Sequence, residues 1–150
     1  MNSYKSKKYS VDYQGKTFSL QRPDDPYELI DLEDPNAIIP YWADEWPSSE
    51  IALQQLPELV GNKTDLVLEI GAGVGSVSVR LNAVFPNYIA ADYSVDACNV
   101  IELNRSQNRA TLQPLALDWN NSSLLPTFNT IFGIDILYEE EMLLPVIIFL

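Results

Sequence analysis

The sequence predicts a doubly wound, mainly parallel α/β sheet preceded by an N-terminal β-hairpin. Residues 65–78, DLVLEIGAGVGSVS, read as a short apolar strand, a tight glycine turn and the start of a helix. Further strands predicted at 88–92, 111–115 and 130–137 alternate with stretches of helical periodicity, the pattern of a parallel sheet covered by helices. Acids fall at or just beyond the carboxyl ends of these strands: Glu69, Asp92, Asp118 and Asp135. Right-handed crossovers place all those ends on one edge, where open α/β sheets bind ligands.

Residues 9–20 read as a hairpin, with Tyr9, Val11 and Tyr13 alternating before Gln14–Gly15, and Phe18 and Leu20 after it. Residues 22–40 hold four of the ten prolines and a run of acids, and read as an extended lead-in. Residues 1–40 thus form a hairpin and lead-in, and 41–150 the ligand-binding domain. Tyr41, Trp42 and Trp46 cluster before a helix predicted to start near Ser48 or Ser49, either of which suits a cap. Its apolar face is Ile51, Ala52 and Leu56, and Pro57 stops or kinks it. The aromatic cluster is either core or a flat wall for a ligand.

Leu66, Val67, Leu68 and Ile70 form the apolar strand before the glycines. Val77, Leu81, Val84 and Phe85 keep helical spacing after them, ending at Pro86–Asn87. Ser94 caps a helix running to about residue 105, with Ala97, Val100, Ile101 and Leu103 inward. Asp118–Trp119 lies in the loop beyond the third strand. The fourth strand, TIFGIDIL, carries Asp135 near its carboxyl end, and Glu139, Glu140 and Glu141 suit a helical first turn. The chain then reads MLLPVIIFL, entirely apolar. A four-stranded sheet leaves its last strand as an open edge, so the sheet is expected to be truncated after strand four, with a C-terminal part missing or another chain on that edge.

The chain has 150 residues and a net charge of −12, with 47% hydrophobic residues, which fits one domain or part of one. Lys5, Lys7 and Lys8 are too few to track phosphates, which argues against nucleic acid and for a basic protein or cationic substrate. Histidine is absent, which excludes histidine triads, histidine metal sites and histidine bases. The one cysteine, Cys98, reads as core, and no internal disulfide can form, as expected in a reducing compartment. No apolar signal core and no membrane-spanning run is evident, so the cytoplasm is the default expectation.

Gly71, Gly73 and Gly75 allow positive φ and close approach of a ligand, and the following helix aims its free N–H groups at the turn. The turn departs from the dinucleotide fingerprint, because Ser76 stands where its third glycine would be. Asp92 is placed to accept both hydroxyls of a ribose. Glu69 and Asp92 together would repel a phosphate-rich ligand. S-adenosylmethionine (SAM) has no phosphate, carries a sulfonium and an ammonium, and keeps a ribose. A bare strand–helix connection with no ligand is the alternative.

The order PYWADEWPSS, VLEIGAGVGS, AADYS, LDWN and DILY, from about Pro40 to the last residue, resembles the class I, seven-β-strand SAM-dependent methyltransferases of methyltransferase family 16. These are largely protein-lysine methyltransferases, and bacterial relatives are often labelled nicotinamide N-methyltransferase-like proteins. The resemblance implies a Rossmann-like methyltransferase sheet. It also implies that Glu69, Gly71, Gly73 and Gly75 surround the methionine part of SAM, that Asp92 holds the ribose, and that Asp118 and Trp119 contact the adenine. Trp46 would lie beside the cofactor, and Asp135 and Tyr138, the D-x-x-Y pair, would face the methyl-accepting nitrogen. Ile134 departs from the small residue the family carries there, and strands five to seven are absent. The expected activity is N-methylation of a protein lysine. A small-molecule N-methyltransferase and a non-catalytic fragment acting as an interaction module are the alternatives.

Overall fold

The computed structural model describes residues 4–35, 37–121, 127–138 and 140–149. Strands β1 (Ser6–Tyr13) and β2 (Lys16–Pro23) form the antiparallel hairpin. Its turn residues Gln14 and Gly15 both have positive φ, 48° and 76°, the conformation that matches the twist of a two-residue hairpin. Tyr9 pairs with Leu20 and Val11 with Phe18, which puts the alternating apolar residues on one face. That face is buried: Phe18 and Leu20 pack with Val67, Val77 and Ile101.

Helix α1 (Ser48–Leu59) starts where expected, but no serine caps it and it runs past Pro57. Its N-cap is Pro47, with no side-chain cap, and Ser48 is the first helical residue. The Ser48 hydroxyl donates instead to the Asp135 carboxylate. Pro57 does not stop the helix. A proline cannot donate to the carbonyl four residues back, here Leu53, and the Tyr13 hydroxyl donates to that carbonyl at 3.2 Å. The inward residue of α1 is Leu53, whereas Ile51 is exposed.

The main sheet comprises β3 (Val67–Ile70), β4 (Tyr88–Asp92), β5 (Gln113–Ala116) and β6 (Thr130–Gly133), in the order β5-β4-β3-β6, all parallel. All four residues of β3 are buried. Val67 faces the larger core, with α2 (Ser76–Leu81), α3 (Val95–Asn108) and the hairpin, while Leu68 and Ile70 face a second cluster containing Val146 of α4 (Glu140–Phe149). Helices therefore cover both faces, as a doubly wound sheet requires.

Ser94 caps α3 as expected, accepting from the Ala97 N–H at 3.3 Å. The inward residue of its third turn is Asn104, fully buried, and Leu103 is only partly buried. Strand β6 ends at Gly133, short of the expected residue 137, because the backbone turns at Asp135 with φ 53°. The apolar run near the end is helical and contains Pro145. Val146 is buried, while Leu143, Leu144, Ile147 and Ile148 are exposed. Glu140 opens this helix, and Glu139 lies outside the described residues. Among the described residues no helix is long and apolar enough to cross a membrane.

Candidate functional site

A cavity of about 440 Å³ opens at the carboxyl ends of β3, β4 and β6. That volume lies within the range of small-molecule sites, about 300–1,000 Å³. Glu69, Gly71, Gly73, Asp92, Asp118, Trp119, Trp46, Asp135 and Tyr138 all line it. Gly75 does not. It is the left-handed N-cap of α2, with φ 74°, and an added Cβ would stand 3.0 Å from Ile101 of α3. Its smallness serves the packing of α2 on α3.

The glycine turn is held from two sides. Gly73 has φ 56°, and a Cβ there would stand 3.0 Å from the Trp42 carbonyl, so the aromatic segment lies directly on the turn. A Cβ on Gly71, φ 67°, would stand 2.5 Å from Cγ2 of Ile136. From below, Asp92 Oδ2 accepts from the Gly73 N–H at 2.8 Å and Oδ1 from the Ser94 N–H at 2.9 Å. Burial pushes the Asp92 pKa up, and the N–H groups of Ser94, Gly73 and Tyr93 oppose that rise. Each carboxylate oxygen keeps capacity for a second donor.

Glu69 is 3% exposed. The Ser78 hydroxyl of α2 donates to it at 2.5 Å and the Tyr88 hydroxyl of β4 at 2.6 Å, both to Oε2. Oε1 has no protein donor among the described residues and belongs to a side chain on the cavity wall. Burial raises the Glu69 pKa to about 7. The Ser78 and Tyr88 hydrogen bonds pull it down, the Asp92 charge pushes it up and the Arg80 charge pulls it down.

The sequence did not single out Asp44, Glu45 or Arg80. Asp44 and Glu45 line the cavity, and Arg80 of α2 is 1% exposed behind it. Arg80 pairs with Glu50 of α1 at 2.5 Å and lies 3.9 Å from Glu45. It also donates to the Ser76 carbonyl at 3.0 Å and hydroxyl at 2.7 Å. Asp44 pairs with Arg22 of the hairpin at 3.1 Å. The one sequence signal for Arg80 is its place in SVSVRL, a stretch otherwise free of charge.

At the mouth, the rings of Tyr41 and Tyr138 meet edge-on at 4.8 Å, and Tyr41 and Trp46 lie 6.3 Å apart. Asp135 stands beside them, tied to Ser48. Tyr41, Trp46, Asp135, Ile136 and Tyr138 also line a second, mostly apolar cavity along β6. Asp118 accepts from the backbone and side-chain N–H of Asn120, each at 2.9 Å, and Trp119 packs against the second core cluster. Ile134 lines the main cavity, as do Ile38, Ile39 and Tyr93, which carried no sequence signal beyond their nearness to the motifs.

No protein-family model matches the chain, and no curated protein matches it in sequence. Solved structures do match. One is coclaurine N-methyltransferase bound to N-methylheliamine and SAH, with TM-score 0.55 and 18% identity, covering 78% of this chain and 35% of that one. Another is the SAM-dependent methyltransferase from Agrobacterium tumefaciens, with TM-score 0.55 and 12% identity, covering 84% of this chain and 39% of that one. The fold is that of the SAM-dependent methyltransferases. A dimethyladenosine transferase from Plasmodium falciparum matches over 57% of this chain and 32% of its own, at 20% identity and TM-score 0.46. The chain thus spans between 32% and 39% of the length of these structures.

Proposed function

We propose that the protein binds SAM in the main cavity and serves methyl transfer to a nitrogen, the acceptor being a protein lysine side chain. One observation carries this reading: Glu69, Gly71, Gly73, Asp92, Asp118 and Trp119 line a single cavity whose charged lining is wholly acidic among the described residues. The donor set fits SAM. The free capacity of the Asp92 carboxylate suits a ribose diol, and the unpartnered Oε1 of Glu69 suits an ammonium in the methionine part. Asp118 and Trp119 offer a hydrogen bond and a ring face to an adenine. Gly71 and Gly73 leave the main chain open to close approach. SAM supplies the methyl group as a sulfonium, so the chemistry needs no metal.

The chain's own contribution is alignment, worth about 7–11 kcal/mol at best. A lysine must first lose its proton, which costs roughly 4–5 kcal/mol at neutral pH from an ordinary pKa of about 10.4. Asp135 opposes that loss, since a carboxylate favours the charged amine. Its role is therefore to orient the amine, with Tyr138 beside it. A small-molecule amine is the second reading, favoured by the apolar second cavity that shares Asp135 with the first.

The test is calorimetry with SAM, followed by incubation with labelled SAM and a cell lysate separated into protein and small-molecule fractions. Heat of binding and label on protein lysine support the first reading, and label on small amines supports the second. A folded protein that gives no heat overturns both and leaves a non-catalytic module.

A further inference from the structure

Tyr41, Trp46, Asp135, Ile136 and Tyr138 border two cavities at once: the one at the strand ends and a second, of about 690 Å³, along β6. Away from that border the second cavity is apolar, lined by Ile70, Ile131, Phe132, Leu137 and Val146. Among the described residues Asp135 is the one charged group that lines it. Three aromatic rings stand with Asp135 at the border. Tyr41 and Tyr138 lie 4.8 Å apart and are inclined at 60°, and Tyr41 and Trp46 lie 6.3 Å apart and are inclined at 54°, so neither pair is stacked flat. The Trp46 indole N–H donates to the Tyr41 carbonyl at 3.4 Å, and the Ser48 hydroxyl donates to the Asp135 carboxylate. These spacings let one cation stand within about 6 Å of all three ring centroids, the reach of a cation–π contact.

We propose that the second cavity docks the acceptor as a lysine flanked by large apolar residues, its ammonium held by Tyr41, Trp46, Tyr138 and Asp135 and an apolar neighbour seated against Ile131 and Phe132. This rests on the reading of Asp135 as the group that orients the amine, and adds Tyr41 and Trp46 to it. An apolar cavity that ends in three rings and one carboxylate matches a carbon chain with a cation at its tip. Lysine has that form, since its stem packs on apolar surface while its charged head seeks polar partners. At about 690 Å³ the cavity is sized for a whole small ligand, so one lysine stem leaves room for a neighbouring side chain. The net charge of −12 favours the approach of a basic segment. The rings act on the charge and not on N–H groups, so the seat keeps its hold on lysine after methyl groups replace the hydrogens. A carboxylate alone would lose a hydrogen bond with each methyl group added.

Trp46 borders the seat, so intrinsic tryptophan fluorescence reports its occupancy. The probes are capped Leu-Lys-Leu peptides carrying lysine, trimethyllysine or acetyllysine, capped Gly-Lys-Gly, and n-butylamine, each titrated with and without saturating S-adenosylhomocysteine (SAH). The lysine and trimethyllysine forms of Leu-Lys-Leu are expected to bind alike. The acetyllysine form, which has lost its charge, is expected to bind about tenfold or more weakly, and Gly-Lys-Gly and n-butylamine are also expected to be weaker. Tyr41→Leu brings the trimethyllysine form down to the level of the acetyllysine form, and Tyr41→Phe, which keeps the ring, does not. The wild-type series stands by itself should Tyr41→Leu not fold. Equal binding of the acetyllysine form, or a loss of affinity on trimethylation, overturns the seat. Binding of n-butylamine as tight as that of Leu-Lys-Leu gives the cavity to small amines and overturns lysine docking. Displacement of the peptides by SAH gives the rings to the cofactor and overturns the proposal, as does a folded protein that binds none of the peptides because a second copy or a further chain fills the cavity. Peptides that bind in the expected order to a protein that does not bind SAH would overturn the cofactor reading and leave the docking site standing.

Discussion

Asn104 holds both backbone groups of Gln21: its Oδ1 accepts from the Gln21 N–H at 2.7 Å, and its Nδ2 donates to the Gln21 carbonyl at 2.9 Å. The same Nδ2 donates to the Val74 carbonyl of the glycine turn at 2.8 Å. One helical turn on, Asn108 repeats the arrangement with Ser19, at 2.9 and 2.7 Å. Two side-chain amides thus take the place of a neighbouring strand beside β2, and Asn104 joins the hairpin to the loop that lines the cavity.

Asn104→Ala removes the partners of the part-buried Gln21 N–H and carbonyl and of the buried Val74 carbonyl. Each unsatisfied group costs about 1–3 kcal/mol, so a loss of roughly 3 kcal/mol or more is expected, seen as a lower denaturant midpoint. Asn108 is nearer the surface, where water can replace its amide. Asn108→Ala is expected to cost less than about half as much. Equal losses in the two variants would remove the special standing of Asn104.

Glu69 makes stability depend on pH. Its folded pKa of about 7 lies above the ordinary 4.5. Between those values the native state keeps a proton that the unfolded chain has released, so stability falls as pH rises through that window and levels off above it. The span corresponds to about 3 kcal/mol. Ser78, Tyr88, Asp92 and Arg80 are the groups facing Glu69, and Asp92, also raised by burial, adds a slope of the same sign. Glu69→Gln keeps an acceptor for both hydroxyls and loses the titration. Urea midpoints at about pH 5 and about pH 8 are expected to differ markedly in the wild type and less in the variant, which keeps only the Asp92 slope.

Gly73→Ala places a methyl group 3.0 Å from the Trp42 carbonyl at a φ of 56°. Left-handed backbone costs a non-glycine residue about 1–2 kcal/mol, and the contact forces the Trp42 segment off the turn. A lower midpoint, together with a changed tryptophan emission and weaker SAM binding, is expected. Gly61→Ala serves as the control, since nothing lies within 4 Å of its added methyl and its φ is not left-handed. It is expected to leave all three readouts unchanged.

The parts of the fold legible in the sequence are those written in local order. The hairpin follows from alternation around Gln14–Gly15, β4 from its apolar run, and the positive φ of Gly71 and Gly73 from their spacing in the turn. Arg80 and Asn104 were illegible because their partners come from afar: Glu50 lies 30 residues before Arg80, and Gln21 lies 83 before Asn104. A polar residue on a helix reads as outward until such a partner is known. The sequence extends β6 to residue 137 because TIFGIDIL is almost wholly apolar, yet Gly133 leaves room that the Ile136 side chain fills after the backbone turns at Asp135. The acids at the strand ends were legible as a set, whereas Asp44 and Glu45 sat in a segment read only for its aromatic rings.

Asp135 separates orientation from binding. Its left-handed backbone suits Asp or Asn far better than Ala, so Asp135→Asn is the cleaner variant. The amide oxygen still accepts from Ser48, while the charge that orients an incoming ammonium is gone. Under the proposed activity, turnover is expected to fall about a hundredfold, the scale on which misplacement of a reacting group acts, while SAM affinity changes little. Ser48→Ala leaves the charge and frees the carboxylate, and is expected to lower turnover less than Asp135→Asn does. Single-turnover rates and fluorescence titrations on the same samples read the two quantities apart. A parallel loss of both in Asp135→Asn would make Asp135 part of the cofactor's own binding, and the orienting role would have to pass to Tyr138 or to another group at the mouth.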